Sequence, residues 1–147
     1  MSLDPDRLAR ALLHDMPDAL VVADAAGLIQ FWNHGAERLF GYPAGEALGQ
    51  SLDLIIPERL RARHWAGFHE TMRTGHSRYG AGEILSVPAM RKDSARLSVE
   101  FTILPLRDPA GRMEGIAAIM RDATKRFEQI RALQKEIAAL RSAMPGS

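Results

Sequence analysis

Residues 59–75 read RLRARHWAGFHETMRTG. At helical spacing Leu60, His64, Phe68 and Met72 fall four apart and share one face, with Gly67 beside them. Arg59, Arg61, Arg63, Glu70 and Arg73 take the other directions. Pro57 ahead of the run marks a helix start, and Gly75 marks its end. An imidazole inside an otherwise apolar stripe is the most chemically suggestive feature of the chain. The segment C-terminal to Gly75 reads as a curved sheet for that stripe to lie against.

In that segment the pattern moves from a period of 3.6 towards a period of 2. Tyr79 to Met90 alternates and is expected to be a strand, with Pro88 placing it at an edge or a bulge. Arg91-Lys92-Asp93-Ser94 is a charged turn, Arg96 to Leu106 a second strand, Asp108-Pro109-Ala110-Gly111 a turn, and Met113 to Met120 a third strand. Hairpin turns make these three an antiparallel meander. From Asp122 the helical period returns. Ile130, Leu133, Ile137 and Leu140 are spaced three, four and three, the spacing of a coiled-coil seam. A single amphipathic helix folded back on the domain is the alternative.

Upstream, Asp4-Pro5 reads as an N-cap and first helical residue, and Leu8, Ala11, Leu12 and Asp15 continue at helical spacing until Pro17. The apolar face of this helix needs a partner, either the domain's flank or a second copy. Ala19 to Ala23 and Leu28 to Trp32 flank the turn Asp24-Ala25-Ala26-Gly27 and read as a hairpin that completes a five-stranded sheet. Asn33 is placed as an N-cap for a short helix through Ala36, Leu39 and Phe40 to Gly41. Another helical turn covers Ala44 to Leu48, and Ser51 to Ile56 is ambiguous between strand and helix.

The totals set the bounds. A length of 147 residues suits one domain with short extensions. A net charge of +1 gives no general attraction to nucleic acid or anionic lipid. Cysteine is absent, which removes disulfides, thiol nucleophiles and cysteine-ligated metals, and agrees with a cytoplasmic location. No apolar run approaches the roughly 20 residues a membrane-spanning helix needs.

Taken in order, Pro17-Asp18-Ala19, Phe31-Trp32-Asn33 leading to Phe40-Gly41-Tyr42, Leu48-Gly49-Gln50-Ser51 and Ile56-Pro57 form a recognisable series. It continues through Arg63-His64, Gly67-Phe68, Thr74-Gly75, Arg91 to Ser94, Val99-Glu100-Phe101 and Arg121-Asp122-Ala123-Thr124. Across roughly residues 16 to 125 this series resembles a PAS sensor domain. The resemblance implies an α+β PAS fold, a five-stranded antiparallel sheet with short helices on one face and a cavity between them. It divides the chain into an N-terminal amphipathic helix (1–15), a sensor domain (16–124) and a C-terminal signalling helix (125–143). Asp122 and Thr124 resemble the family's Asp-x-Thr junction, which ties the last strand to the outgoing helix; Ala123 stands where the family carries isoleucine.

The resemblance also implies a sensory module. It would bind a small ligand or cofactor in its cavity and relay the change through a dimeric helix to a signalling partner, or to an output domain on a longer chain. A ligand-free dimerisation or interaction scaffold is the alternative. His64 lies where haem-binding oxygen-sensor PAS domains place their iron ligand, which makes haem b a candidate cofactor and His64 its metal contact. Neutral imidazole in apolar surroundings suits that role, and a structural core histidine is the competing reading. A gas-contacting arginine has no clear counterpart among Gly82, Glu83 and Ile84. Flavin is the weaker candidate, because the photoreactive class needs a cysteine. Phe31, Phe40, His64, Phe68, Tyr79 and Phe101 are expected to line an apolar pocket, or simply to fill the core. His64 and His69 are five apart, about 140° around a helix, and cannot share a metal. No catalytic series or phosphate-binding glycine loop is present, and nucleic-acid recognition has no support. The chain reads as a non-enzyme.

Overall fold

Asn33 organises the first layer. In the computed structural model, which describes residues 2–77 and 82–145, its Oδ1 accepts hydrogen bonds from Leu20 N at 2.8 Å and Ala36 N at 2.9 Å. Its Nδ2 donates to the Asp18 carbonyl at 3.1 Å. One buried side chain therefore caps a helix and fastens it to the first strand. That strand, β1 (Ala19–Asp24), pairs with β2 (Ile29–Trp32) across a turn in which Asp24 Oδ1 takes the Ala26 and Leu28 amides. The helix, α2 (His34–Phe40), ends at Gly41 in the left-handed conformation, the usual terminator where a side chain would clash. A single turn, α3 (Ala44–Ala47), and a 3₁₀ turn (Leu52–Ile55) lead on; the ambiguous stretch 51–56 is the latter.

The organising stretch forms two pieces. A 3₁₀ turn (Glu58–Leu60) precedes α4 (Arg61–Thr74), which Gly75 ends in the left-handed region. The inward line on α4 is Trp65, Phe68, Thr71 and Met72, with Phe68 and Thr71 buried. Leu60 is left behind in the 3₁₀ turn and Gly67 faces solvent. The expected stripe is thus rotated, because positions three apart share the buried face as well as positions four apart.

The sheet is completed by β3 (Leu85–Met90), β4 (Arg96–Arg107) and β5 (Met113–Asp122), in the antiparallel order β2-β1-β5-β4-β3. The third strand starts later than its alternation suggests. Residues 78–81, Tyr79 among them, lie outside the described residues, and Gly82 sits at φ 78°, a conformation that an extended strand cannot continue through. Pro88 is on β3, an edge strand, where a missing N–H costs no ladder bond. Helices and one sheet face enclose a single core of Ile29, Trp32, Phe40, Ile55, Phe68, Val99 and their neighbours.

Two helices flank this core. The first, α1 (Pro5–Asp15), is capped by Asp4 and buries no residue. The last, α5 (Thr124–Ala143), also buries none, and Ile130, Leu133, Ile137 and Leu140 are 45–62% exposed. The folded-back alternative is therefore corrected: past its first turn α5 stands clear of the domain. Among the described residues no helix is long and apolar enough to cross a membrane.

Candidate ligand face and signal junction

The helix that carries His64 is held at both ends. Near its start, Trp65 Nε1 donates to Asp53 Oδ1 at 2.7 Å, and the Trp65 ring occupies the space a side chain at Gly27 would need. Arg61 adds hydrogen bonds to the carbonyls of Ile56 and Asp53. At its end, the Gly75 carbonyl accepts from Arg107 Nη2 at 2.6 Å. The first set of contacts reaches the β1–β2 turn, and the second reaches the outer end of β4. Both ends of α4 are in this way fastened to other parts of the domain.

His64 lies at the edge of that helix's inward face. Its ring meets Trp65 edge-on at 4.7 Å and lies 6.0 Å from Phe68, centre to centre. Its Nδ1 is buried and has no hydrogen-bond partner. Burial pushes its pKa below the ordinary 6.5, with Asp53 opposing the change and His69 adding to it. The imidazole is therefore neutral at neutral pH. An orphaned buried polar atom costs about 1–3 kcal/mol, so this position is unfinished in a way the surrounding apolar core is not.

Phe40 is fully buried, Phe68 is buried and Phe101 is half-buried against the same core, so these three share an interior with the His64 edge. Phe31 does not join them. The register Val21↔Trp32 and Val22↔Phe31 sends Trp32 inward and Phe31 to the opposite sheet face, where it meets His14 of α1 at 5.1 Å. Adjacent strand residues cannot share a face, and of two neighbouring aromatics only one could be a lining residue. Two further aromatics of this interior, Trp32 and Trp65, are absent from the expected lining. Strand alternation offers Trp32 as an equal candidate, and Trp65, three residues before Phe68 and seven before Met72, is offered by the i, i+3, i+7 spacing, although its partners Gly27 and Asp53 lie in other segments. Among the described residues no cluster of three histidines or carboxylates is placed to hold a metal ion.

At the exit, Asp122 Oδ1 accepts from Thr124 N at 2.9 Å, and Thr124 Oγ1 accepts from Ser98 N at 3.0 Å. Ala123, buried, donates its amide to the Ser98 carbonyl. Arg126 pairs with Glu100 on β4, and Arg121 with Asp18 on the approach to β1. Two strands thus grip the first turn of α5, and among the described residues no hydrogen bond or ion pair ties the rest of the helix to the domain.

A sheet in this strand order, helices over one face and a last strand that hands straight to an exposed helix define a small sensory α+β domain. The chain belongs to the PAS family, whose profile, described as PAS fold, matches residues 7–123. It is 32% identical over 133 residues to the sensor protein FixL of Bradyrhizobium diazoefficiens, covering 87% of this chain and 25% of that protein. It is 27% identical to the oxygen sensor protein DosP of Escherichia coli K12 over 101 residues, which is 69% of this chain and 12% of that one. The chain therefore spans a quarter or less of these relatives. The crystal structure of a PAS domain from Colwellia psychrerythraea superposes with a TM-score of 0.72 at 24% identity, covering 83% of this chain and 99% of that one.

Proposed function

We propose that this domain is a non-enzymatic sensory module that takes a small apolar ligand or cofactor between α4 and the sheet. His64 supplies the polar contact, and β5 passes the change to α5. The observation that carries this reading is the buried, partnerless Nδ1 of a neutral imidazole on an aromatic face. A bound molecule that engages the ring would recover what the orphaned atom costs. Asp122 and Thr124 serve as the junction, because they join the last strand to the first turn of α5. A second copy pairs along the exposed α5 seam, and the signal goes to a cytoplasmic protein or to an output domain on a longer chain. The sensor names of FixL and DosP support this reading.

Haem b is the cofactor these residues fit best. A neutral histidine in apolar surroundings is the state that ligates iron, and DosP is named an oxygen sensor. His64 would hold it, with Phe68 and Phe101 facing the same interior, and the haem would supply a gas-binding iron. A second reading has its own observation. Phe40 and Phe68 are buried in one continuous core, as expected of a ligand-free dimerisation scaffold. An absorbance spectrum of protein expressed with haem supplied, beside His64→Ala, separates the two. A Soret band lost in the variant is expected; no band in either protein would overturn the haem assignment and leave an uncoloured ligand or the scaffold.

A further inference from the structure

Away from the aromatic face, a cleft of about 280 Å³ opens where the two ends of the domain meet. It is walled by the start of β1, by α2, by the β3–β4 turn and by the end of β5. Three arginines from three separate elements line it, Arg38, Arg91 and Arg121, together with two acidic residues, Asp18 and Asp122.

The contacts already made decide the balance. Arg121 Nη2 donates to Asp18 Oδ2 at 2.7 Å, which neutralises that pair. Arg91 Nη1 donates to the carbonyls of Leu39 at 2.6 Å and Arg38 at 3.3 Å. It thereby closes the end of α2 and is fixed in place; its Nε lies 3.8 Å from Asp93 Oδ1 in an ion pair, which leaves its Nη2 as the donor for a ligand. The Arg38 guanidinium has no hydrogen-bond or ion-pair partner among the described residues. Asp122 Oδ1 is occupied by the Thr124 amide. Leu39 and Met120 add apolar lining to the cleft.

We propose that this cleft binds a carboxylate carried on a short apolar stem, with Arg38 and Arg91 as donors and Leu39 and Met120 covering the stem. A guanidinium fork matches a carboxylate in geometry and charge. Inorganic phosphate suits the site less well, because it concentrates its charge beside Asp18 and Asp122 and has no apolar stem for Leu39 and Met120 to cover. The volume falls just below the about 300 Å³ at which pockets begin to take drug-sized ligands. That is room for a small dicarboxylic acid or for one acidic side chain of another protein. Occupancy would press on Arg121 and Asp122, the last residues before α5, from outside the core. The site is independent of any interior ligand.

The test is a nuclear magnetic resonance titration of the full chain with glutarate and, separately, with an end-blocked tetraglutamate peptide. Inorganic phosphate is the comparison. Saturable shifts at the amides of Arg38, Leu39, Arg91 and Arg121 are expected, with a carboxylate binding more tightly than phosphate. Glutarate alone saturating assigns the site to a free acid; tighter binding of the peptide assigns it to an acidic segment of a partner. Arg38→Glu should weaken binding about tenfold or more while circular dichroism and melting temperature stay unchanged, and Arg38→Lys should fall between. No saturable shift at these amides, an unaffected titration in Arg38→Glu, or phosphate binding as tightly as glutarate would each overturn the proposal.

Discussion

His64 is where local chemistry and stability meet most directly. Its folded-state pKa is depressed by burial, so near and below pH 6.5 the unfolded chain binds the proton more readily than the folded one. Stability is then fully present above pH 6.5 and is lost as pH falls from there through the depressed folded value. Melting curves between pH 7.5 and 5 should show this decline, and His64→Leu should flatten it; an equal slope in both proteins would place the pH dependence elsewhere. Gly27 makes a second case. It sits at φ +81° with the Trp65 ring against it, so Gly27→Ala combines left-handed strain with a clash. A loss of about 1–3 kcal/mol in urea unfolding is expected. Neither His64's orphaned nitrogen nor Trp65's neighbour could be read from spacing, because both depend on segments that meet only in three dimensions.

The exit helix behaves differently, since most of its length is exposed and, among the described residues, has no tertiary partner. Its seam is readable for that reason: with α5 standing clear, periodicity alone describes its apolar face. Ile130 and Ile137 occupy one seam position and Leu133 and Leu140 the other, the combination that favours a parallel two-stranded coil. In that arrangement Glu136 of one helix faces Arg141 of its partner, opposite charges at the flanking positions. Leu140→Asp should give a monomer by light scattering without altering the circular dichroism of the domain. Leu133→Cys, the sole cysteine in such a chain, should oxidise to a covalent dimer if the helices run parallel and in register. A chain that stays monomeric on oxidation would argue for an antiparallel pair or none.

Across the domain, α4 is tied to β4 through Arg107, and β4 is tied to α5 through Ser98 and Glu100. One strand therefore touches both the helix that carries His64 and the outgoing one. Thr124→Val removes the acceptor for the Ser98 amide and should cost about 1 kcal/mol. Hydrogen exchange in the first turn of α5 should quicken markedly, while β1 and β2 stay protected. Uniform acceleration throughout would mean that the junction serves global stability and not coupling.

Element order, the caps at Asp4 and Asn33, the glycine stops at Gly41 and Gly75, the meander and the exposed seam were all legible in the chain. Each depends on residues within a few positions of one another, where backbone geometry leaves few options. Burial and identity at the site needed the folded molecule. Alternation says that Phe31 and Trp32 face opposite ways but not which faces in; pairing with β1 decides that. The rotation of α4 is set by Trp65 meeting Gly27 and Asp53, and the arginine cleft exists only because three distant segments converge. Local chain stiffness writes the elements into the sequence, whereas a site is made of long-range contacts that no local pattern encodes.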